Sequence, residues 1–408
     1  MTTTEGPDWT KQKERLQRSW DKLVFGLALR RETVVQHDAV LAEAEAALAR
    51  RDQHEGEAAC LASPDPVVRQ GWALKQQVEA EFRNRYAGRT DERVLIHVPG
   101  AIHSPAGYSL FTNLAESLEF IGVPTRMLEW DADTGEVLEA FRPTVLLSSD
   151  DEAYRSRIDW AAIARYKQAQ RLRVGLTASL EEYGNTPLAG RLAWAGESGL
   201  DFYYTFRDED YVRTRSGYRP FFDAGYPMVY LPFGANILHY YPVAGFERDL
   251  DYVIMATRKA EHMSHMKGIV GRYTGFIDGP GWKHVHDFRF NRERDRYIYA
   301  RARVGLNVHL PEQLQWACEV NERTYQLAAC GVPQLVDHAL LLGKLFSPGA
   351  LFVADTPRQY RQLFTHIVEN ASMAEARALQ AQREVFERHT TFHRAASLLQ
   401  QLASLGAR

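Results

Sequence analysis

Strand-like and helix-like segments alternate along this chain from about residue 93, and near residue 249 the alternation begins again. "RVLIHVPG" (93–100) is a short apolar run ending in Gly100, followed by the amphipathic "GYSLFTNLAESLEFIG" that Gly122 closes. "VPTRMLEW", "TVLLSSD", "LRVGLTA", "LDFYYTF" and "MVYLPFGA" are further strand-like runs, with the helical "IDWAAIARYKQAQ" between the second and third. Such short apolar runs, separated by amphipathic helices, imply a parallel, doubly wound sheet with the helices as crossovers. The second set opens with "DLDYVIMAT" and continues through "AEHMSHMKGIVGRY", "RDRYIYARA", "VGLNVHL", "ALFVADT" and a helical tail from Pro357. The expectation is α/β, with two Rossmann-like units joined near "PFGANILHYYP": residues 91–243 and residues 244–408.

The 408 residues exceed what one ordinary core holds, which agrees with two or three domains. A net charge of −3, with both signs mixed along the chain, gives no electrostatic case for nucleic acid. Cys60, Cys318 and Cys330 are far apart and form no CxxC, so they read as reduced thiols rather than a disulfide frame or zinc site. No apolar run approaches the roughly 20 residues of a membrane span, and the first twenty residues lack the apolar core of a signal peptide. Those features point to the cytoplasm.

Residues 1–90 are helical in pattern and read as an accessory module. Trp20, Leu27, Val34, Leu41 and Leu48 recur every seven residues, with Leu16 and Leu23 on the alternate seam until Arg30 and His37 break it. A helical hairpin or short coiled coil fits this better than a long coiled coil. Its role is packing or homodimerisation, or docking of an acceptor or a membrane surface through Lys11, Lys13, Arg15 and Arg18.

Residues 321–337, "NERTYQLAACGVPQLVD", put polar groups at the front of a helix and small ones at its back. The first N–H groups of a helix lack partners and carry the positive end of its dipole, so they can hold a diphosphate. Asn321 is placed to cap a helix starting near Glu322. Arg323 is a cation in the first turn, unfavourable by about 0.5 kcal/mol unless an anion is bound there. Ala328, Ala329 and Cys330 permit close packing, and Gly331 ends the helix in the left-handed conformation. A plain helix-to-strand connection, with Arg323 paired to Glu319 or Glu322, reads the same residues equally well.

This segment resembles the nucleotide-binding segment of group-1 glycosyltransferases, and more closely that of the spore-maturation-protein-like (CgeB-type) branch. "LPFGANILHYYP", "DGPGW", "ARVGLNVH", "KLFSPGALFVAD" and "ERHTTFHRAASLL" match that branch in order. The resemblance covers about residues 93–400. It implies the GT-B fold of two facing Rossmann-like lobes, with a nucleotide-sugar donor on the C-terminal lobe and an acceptor on the N-terminal one. Donor contacts then fall to Arg258, Lys267, Asn321, Arg323, Thr324 and Gln326. The family generally works without a metal, and the nucleotide-sugar is a substrate, so no cofactor is expected. Gln326 and Cys318 stand where the wider superfamily has two glutamates, which leaves donor preference open.

On the acceptor side, Gly107 and Tyr108 lie in "HSPAGYS" after the first strand. Gly107 reads either as a close approach of a ligand to backbone or as a helix start. His103 in that loop and Asp150, which with Asp151 stands at the end of the strand "TVLLSSD" placed to enter the cleft, are the candidate catalytic residues; an inverting enzyme needs such a carboxylate as general base. "HMSHM" and "KHVHDF" lack a third and fourth metal ligand at recognisable spacing. "DAD" (131–133) and "DED" (208–210) imitate a metal-binding Asp-x-Asp motif, against which two Rossmann-like units argue. The function expected from the resemblance is transfer of a sugar to a glycan, lipid-linked or protein acceptor in bacterial surface-polysaccharide or glycoprotein assembly, with peripheral contact at the inner membrane. The rivals are a nucleotide-sugar epimerase and a catalytically silent scaffold.

Overall fold

The six apolar runs of the first set all form strands in the computed structural model, which describes residues 9–29, 37–101, 103–180, 186–282, 284–285, 288 and 291–405. They are β1 (Val94–Val98), β2 (Thr125–Glu129), β3 (Val145–Ser148), β4 (Arg173–Thr177), β5 (Phe202–Thr205) and β6 (Met228–Tyr230). The sheet order is β2-β1-β3-β4-β5-β6, and every neighbouring pair is parallel. Every residue of β1, β3 and β5 is buried, as strands covered on both faces must be. The edge strand β2 buries Leu128 alone.

The second set gives β7 (Tyr252–Met255), β8 (Gly275–Asp278), β9 (Gly305–Asn307), β10 (Gln334–Asp337) and β11 (Phe352–Ala354). This sheet is also parallel throughout, in the order β11-β10-β9-β7-β8. In each sheet the strand order reverses beside the first strand, between β1 and β3 and between β7 and β9. Those are the switch points where crossovers diverge to opposite faces and leave a crevice at the carboxyl ends. "AEHMSHMKGIVGRY" is helical only over Ala260–Met266, because Gly268 and Gly271 both take positive φ.

The chain divides into two compact units. One holds the five-stranded sheet: residues up to 71, 242–314 and 330–382. The other holds the six-stranded sheet: residues 72–241, 315–329 and from 383 on. The last helix, Thr391–Leu405, therefore joins the first sheet. Phe392 stacks on Phe120 at 5.0 Å, and the Ser117 hydroxyl donates to Thr391 Oγ1 at 2.6 Å. Gln401 accepts from Tyr230 N (2.9 Å) and donates to Tyr230 O (3.0 Å), so a side-chain amide pairs with the edge strand β6.

The N-terminal residues are helical, as expected, and their side chains are built into these units. In α1 (Trp9–Ala28), Phe25 is buried 6.2 Å from Trp282. In α2 (His37–Ala49), Val40, Ala44 and Ala47 are buried, while Leu41 and Leu48 of the seven-residue repeat are only half-buried. The repeat thus does not continue as one seam. His37 stacks on Phe276 at 5.5 Å and donates through Nε2 to Asp278 at 2.8 Å. Glu55 accepts from Arg296 Nε at 2.8 Å and from the Tyr297 hydroxyl, with both Arg296 and Tyr297 fully buried.

Candidate active site

At the carboxyl edge of the six-stranded sheet, the residues just after four strands converge on one cavity of about 250 Å³. Ser104 comes from the loop after β1, Ser149 and Asp151 from the turn after β3, Thr177 from the end of β4, and Phe206 and Arg207 from the turn after β5. Glu319 closes the wall, with its carboxylate 3.7 Å from Arg207 Nε.

The helix Pro105–Phe120 opens on this cavity. Ser104 is its N-cap, accepting from Gly107 N at 3.3 Å, and Pro105 starts it without an N–H to satisfy. A Cβ on Gly107 would lie 2.3 Å from Tyr154 Oη and 2.7 Å from Ser104 Oγ. Gly107 is therefore in the first turn of a helix, and the group that needs its missing side chain is the Tyr154 hydroxyl. Burial raises the pKa of Tyr154, opposed by its bond to Ser104. Tyr108, the next residue, lines a separate and wider cavity of about 530 Å³ with Met127 and Trp130.

Asp150 does not open onto the cavity. It is 2% exposed, forms an ion pair with the buried Arg191, and accepts from Thr177 Oγ1 at 3.1 Å. Burial raises its carboxyl to about 7, against the pull of Arg191 and Thr177. The carboxylate thus stands one hydroxyl behind the wall, and the cavity itself meets Asp151 and Glu319. Asp151 also caps the Glu152–Arg155 helix, accepting from Ala153 N at 2.8 Å. His103 is exposed and stacked 5.9 Å from Trp130.

The polar-fronted helix is Glu322–Ala329, and it groups with the six-stranded sheet. Asn321 caps it as expected, its Oδ1 accepting from Thr324 N and Thr324 Oγ1, both at 3.1 Å. Thr324 is fully buried, so its hydroxyl serves the cap. Glu322 accepts from Asn113 Nδ2 at 3.2 Å and Ser109 Oγ at 3.3 Å, anchoring the front of the helix to Pro105–Phe120. Arg323 and Gln326 are half-buried. Cys318 is buried, and its carbonyl accepts from Asp208 N at 2.7 Å. Gly331 takes φ +69°, the left-handed conformation expected of it.

Arg258 and Lys267 belong to the other unit and stand at opposite ends of the Ala260–Met266 helix. The seven-residue helix between them is about 10 Å long. Arg258 follows β7 and bonds Pro280 O of the "DGPGW" turn through its N–H at 2.9 Å. In that turn, Gly279 takes φ +129° where a Cβ would lie 2.3 Å from Ala256 O.

The acidic triplets are helix caps. Asp133 Oδ1 accepts from Glu136 N at 2.8 Å, and Asp208 Oδ1 accepts from Asp210 N at 3.0 Å. Among the described residues, no three His, Cys, Asp or Glu side chains group as metal ligands; His286 and Asp287 of "KHVHDF" lie outside them. No described helix is long and apolar enough to cross a membrane.

Residues 236–400 match the model of a family described as glycosyl transferase-like. No curated protein matches the chain by sequence. Among solved structures the chain is similar to Alr3699/HepE of Anabaena, solved in complex with UDP and glucose. Identity is 11%, the match covers 77% of this chain and 100% of that one, and the TM-score is 0.50. It is also similar to T4 phage BGT in complex with its UDP-glucose substrate, at 9% identity, 77% and 98% coverage and a TM-score of 0.50. At these identities the likeness establishes the fold, which is GT-B.

Tyr154, Arg191, Arg207 and Glu319 were not singled out from the sequence as site residues. Glu319 and Arg207 had a usable signal. One stands immediately after Cys318, where an acid was expected, and the other directly follows a strand-like run. Arg191 had none, because its partner is fixed by the packing of a helix distant in sequence.

Proposed function

We propose that the chain is a glycosyltransferase that moves a sugar from a nucleotide-sugar donor to a hydroxyl of a glycan, lipid-linked or protein acceptor. The observation that carries this reading is the cavity at the carboxyl edge of the six-stranded sheet. It combines the hydroxyls of Ser104, Ser149 and Thr177, the carboxylates of Asp151 and Glu319, and the aromatic walls Phe111, Tyr154 and Phe206. Aromatic faces suit the C–H faces of a sugar ring, and a few fixed polar groups select its hydroxyls. The glycosyl transferase-like match over residues 236–400 and the GT-B fold support it.

In this reading the donor diphosphate lies at the start of the Glu322–Ala329 helix. Asn321 and Thr324 hold that terminus in shape, Arg323 meets the phosphate charge, and Gln326, one turn on, reaches the ribose. The helix dipole and Arg323 stabilise the leaving group where a metal would otherwise be needed, so turnover persists in excess EDTA. The order of the matching motifs supports the CgeB-type branch and a place in bacterial surface-polysaccharide or glycoprotein assembly.

One observation favours a second reading, a catalytically silent scaffold. Cys318 and Gln326 occupy two positions where the resemblance leads one to expect glutamates, and Cys318 is buried. Melting temperatures with UDP-, GDP-, CMP- and dTDP-sugars, followed by calorimetry, separate the two. A transferase is stabilised by at least one of these donors, and Arg323→Ala weakens that binding by about 1.5–3 kcal/mol, the range for a charge-assisted hydrogen bond. If no nucleotide shifts the melting temperature, the scaffold reading replaces it.

A further inference from the structure

We propose that Asp150 is a positioning residue that sets the ligand selectivity of the cavity after β3 and β4. Through Thr177 it turns the Ser149 hydroxyl into a hydrogen-bond acceptor, so the cavity takes a neutral polyol and disfavours an anionic sugar. The inference rests on the reading above for the presence of a sugar in this cavity, and goes beyond it in naming the kind.

A hydroxyl has one proton to donate and two lone pairs that accept. Thr177 Oγ1 lies 3.1 Å from Asp150 Oδ1 and 3.0 Å from Ser149 Oγ, and it accepts from Asp150 N at 3.1 Å. A carboxylate only accepts, and Oδ2 of this one is taken by the buried Arg191. The Thr177 proton therefore goes to Asp150, the stronger acceptor. The second lone pair of Thr177 then accepts from Ser149. Ser149 Oγ in turn accepts from Asp151 N at 3.2 Å. Its proton and one lone pair are thus committed within the protein, and it offers the cavity it lines a single lone pair. A sugar hydroxyl can donate to that lone pair; a phosphate or carboxylate oxygen cannot.

The surrounding charges agree. The cavity is lined by the carboxylates of Asp151 and Glu319 and by Arg207, which stands against Glu319. The helix Pro105–Phe120 that opens there gives an anion little, because Pro105 has no N–H and Gly107 N is bonded to Ser104. A polyol has several hydroxyls, so one can orient the ring on Ser149 while another meets the carboxylates.

Protonation of Asp150 reverses the chain. Oδ2 faces Arg191, so the proton sits on Oδ1 and donates to Thr177; Thr177 then donates to Ser149, and Ser149 donates into the cavity. The charged and titratable groups facing Asp150 are Arg191 of the helix Leu188–Glu197, Arg155 of Glu152–Arg155, and Tyr203 and Tyr204 of β5, both kept neutral by burial. The Ser179 backbone N–H also donates to the carboxylate. Of these groups Asp150 is the one that titrates near neutrality, at about 7.

Ligand-observed NMR of the full chain with D-glucose, D-galactose, D-mannose and N-acetylglucosamine, each beside its deoxyfluoro analogues, tests this, since fluorine removes the donor and keeps a weak acceptor. At pH 8 at least one of the four should bind, and fluorine at one ring position should weaken it about fivefold, the worth of one hydrogen bond. Glucuronate or galacturonate should bind about tenfold more weakly than its neutral parent. The fluorine loss at that position should shrink at pH 6. It should also shrink in Asp150→Asn, whose amide donates to Thr177, and in Thr177→Val, which keeps the Asp150–Arg191 pair. Binding of none of the four, equal affinity for a uronate, or the same fluorine loss at pH 6 and in both variants overturns the proposal. The nucleotide-sugar melting temperatures judge the transferase reading separately: a donor that stabilises the protein while the sugars fail these tests leaves that reading standing.

Discussion

Gly331 and Val67 touch so closely that a single methyl group would not fit between them: a Cβ on Gly331 would lie 1.9 Å from Val67 Cγ1. The glycine of "ACGVP" is thus required twice, once for its φ of +69° and once for the N-terminal helix Pro66–Tyr86 that runs against it. Gly331→Ala should cost about 1–2 kcal/mol for the left-handed backbone and a further 1–3 kcal/mol for overpacking. In a Val67→Ala background only the second part should be recovered. Urea unfolding of the four proteins in the cycle checks this, and full recovery would show that the backbone conformation costs nothing.

A second consequence of the built-in N-terminal helices concerns Glu55. Its carboxylate is the ion-pair partner of Arg296, whose side chain is 2% exposed, and it also receives the Tyr297 hydroxyl. Truncating one member of a buried pair removes that compensation from the other charge, at up to about 3–5 kcal/mol. Glu55→Ala should lower stability by that amount, and Glu55→Gln by less, because an amide oxygen still accepts from the guanidinium. Equal stability of all three proteins in denaturant titrations would remove the pair from the core.

Particular residues show how far this chain can be read without coordinates. The strands and their parallel order were legible because short apolar runs recur between amphipathic helices, and Asn321 and Gly331 behave as cap and stop because those roles are local. The seven-residue repeat is less informative about burial, because it says nothing of where the chain bends: Leu41 and Leu48 are half-buried, and α2 buries Val40, Ala44 and Ala47. Asp150 was legible as a carboxylate at a strand end, but not as the partner of Arg191, forty-one residues on. Sequence spacing shows which residues lie near a strand terminus. Which of two adjacent aspartates turns inward is settled by tertiary contacts.

Acid should weaken the fold through His97. The ring is fully buried, stacked 5.3 Å from Trp130 and 2.9 Å from the Ser148 hydroxyl, and burial lowers its pKa from 6.5 to about 4. Between those values the unfolded chain binds the extra proton and the folded one does not. Stability is therefore full above about pH 6.5 and falls as pH drops towards 4, by on the order of 3 kcal/mol at about 1.4 kcal/mol per unit. His393, also lowered to about 4 by burial, adds to the slope over the same range. His97→Gln should flatten the dependence of the urea midpoint on pH in this window. An unchanged slope would mean that His97 already stays neutral in the unfolded chain or charges in the folded one.

The cavity carboxylates should separate chemistry from donor binding. Asp151 and Glu319 line the wall that Asp150 stands behind. If either takes the acceptor proton, Asp151→Asn or Glu319→Gln should lower turnover by roughly 10²–10⁴-fold, the range of general base catalysis, with nucleotide affinity by calorimetry unchanged. An acidic limb of the pH–rate profile that disappears in the same variant would identify the group. Turnover untouched in both would point to a mechanism that retains configuration and needs no enzymic base.

In the proposed reading, Gln326 holds the donor ribose. It is half-buried and one turn beyond the helix start that Asn321 caps, so a nucleotide whose diphosphate rests on the first turn brings its sugar near this amide. A neutral amide still pairs with a ribose hydroxyl, which gives moderate affinity. Gln326→Glu should tighten nucleotide binding by about 1 kcal/mol, since a carboxylate accepts stronger hydrogen bonds from hydroxyls. Gln326→Ala should weaken it by about 1 kcal/mol. Calorimetry with the donor that most raises the melting temperature measures both. The two substitutions shift affinity in opposite directions only if the side chain meets the nucleotide, so parallel losses would mark Gln326 as a packing residue and leave the ribose to another part of the chain.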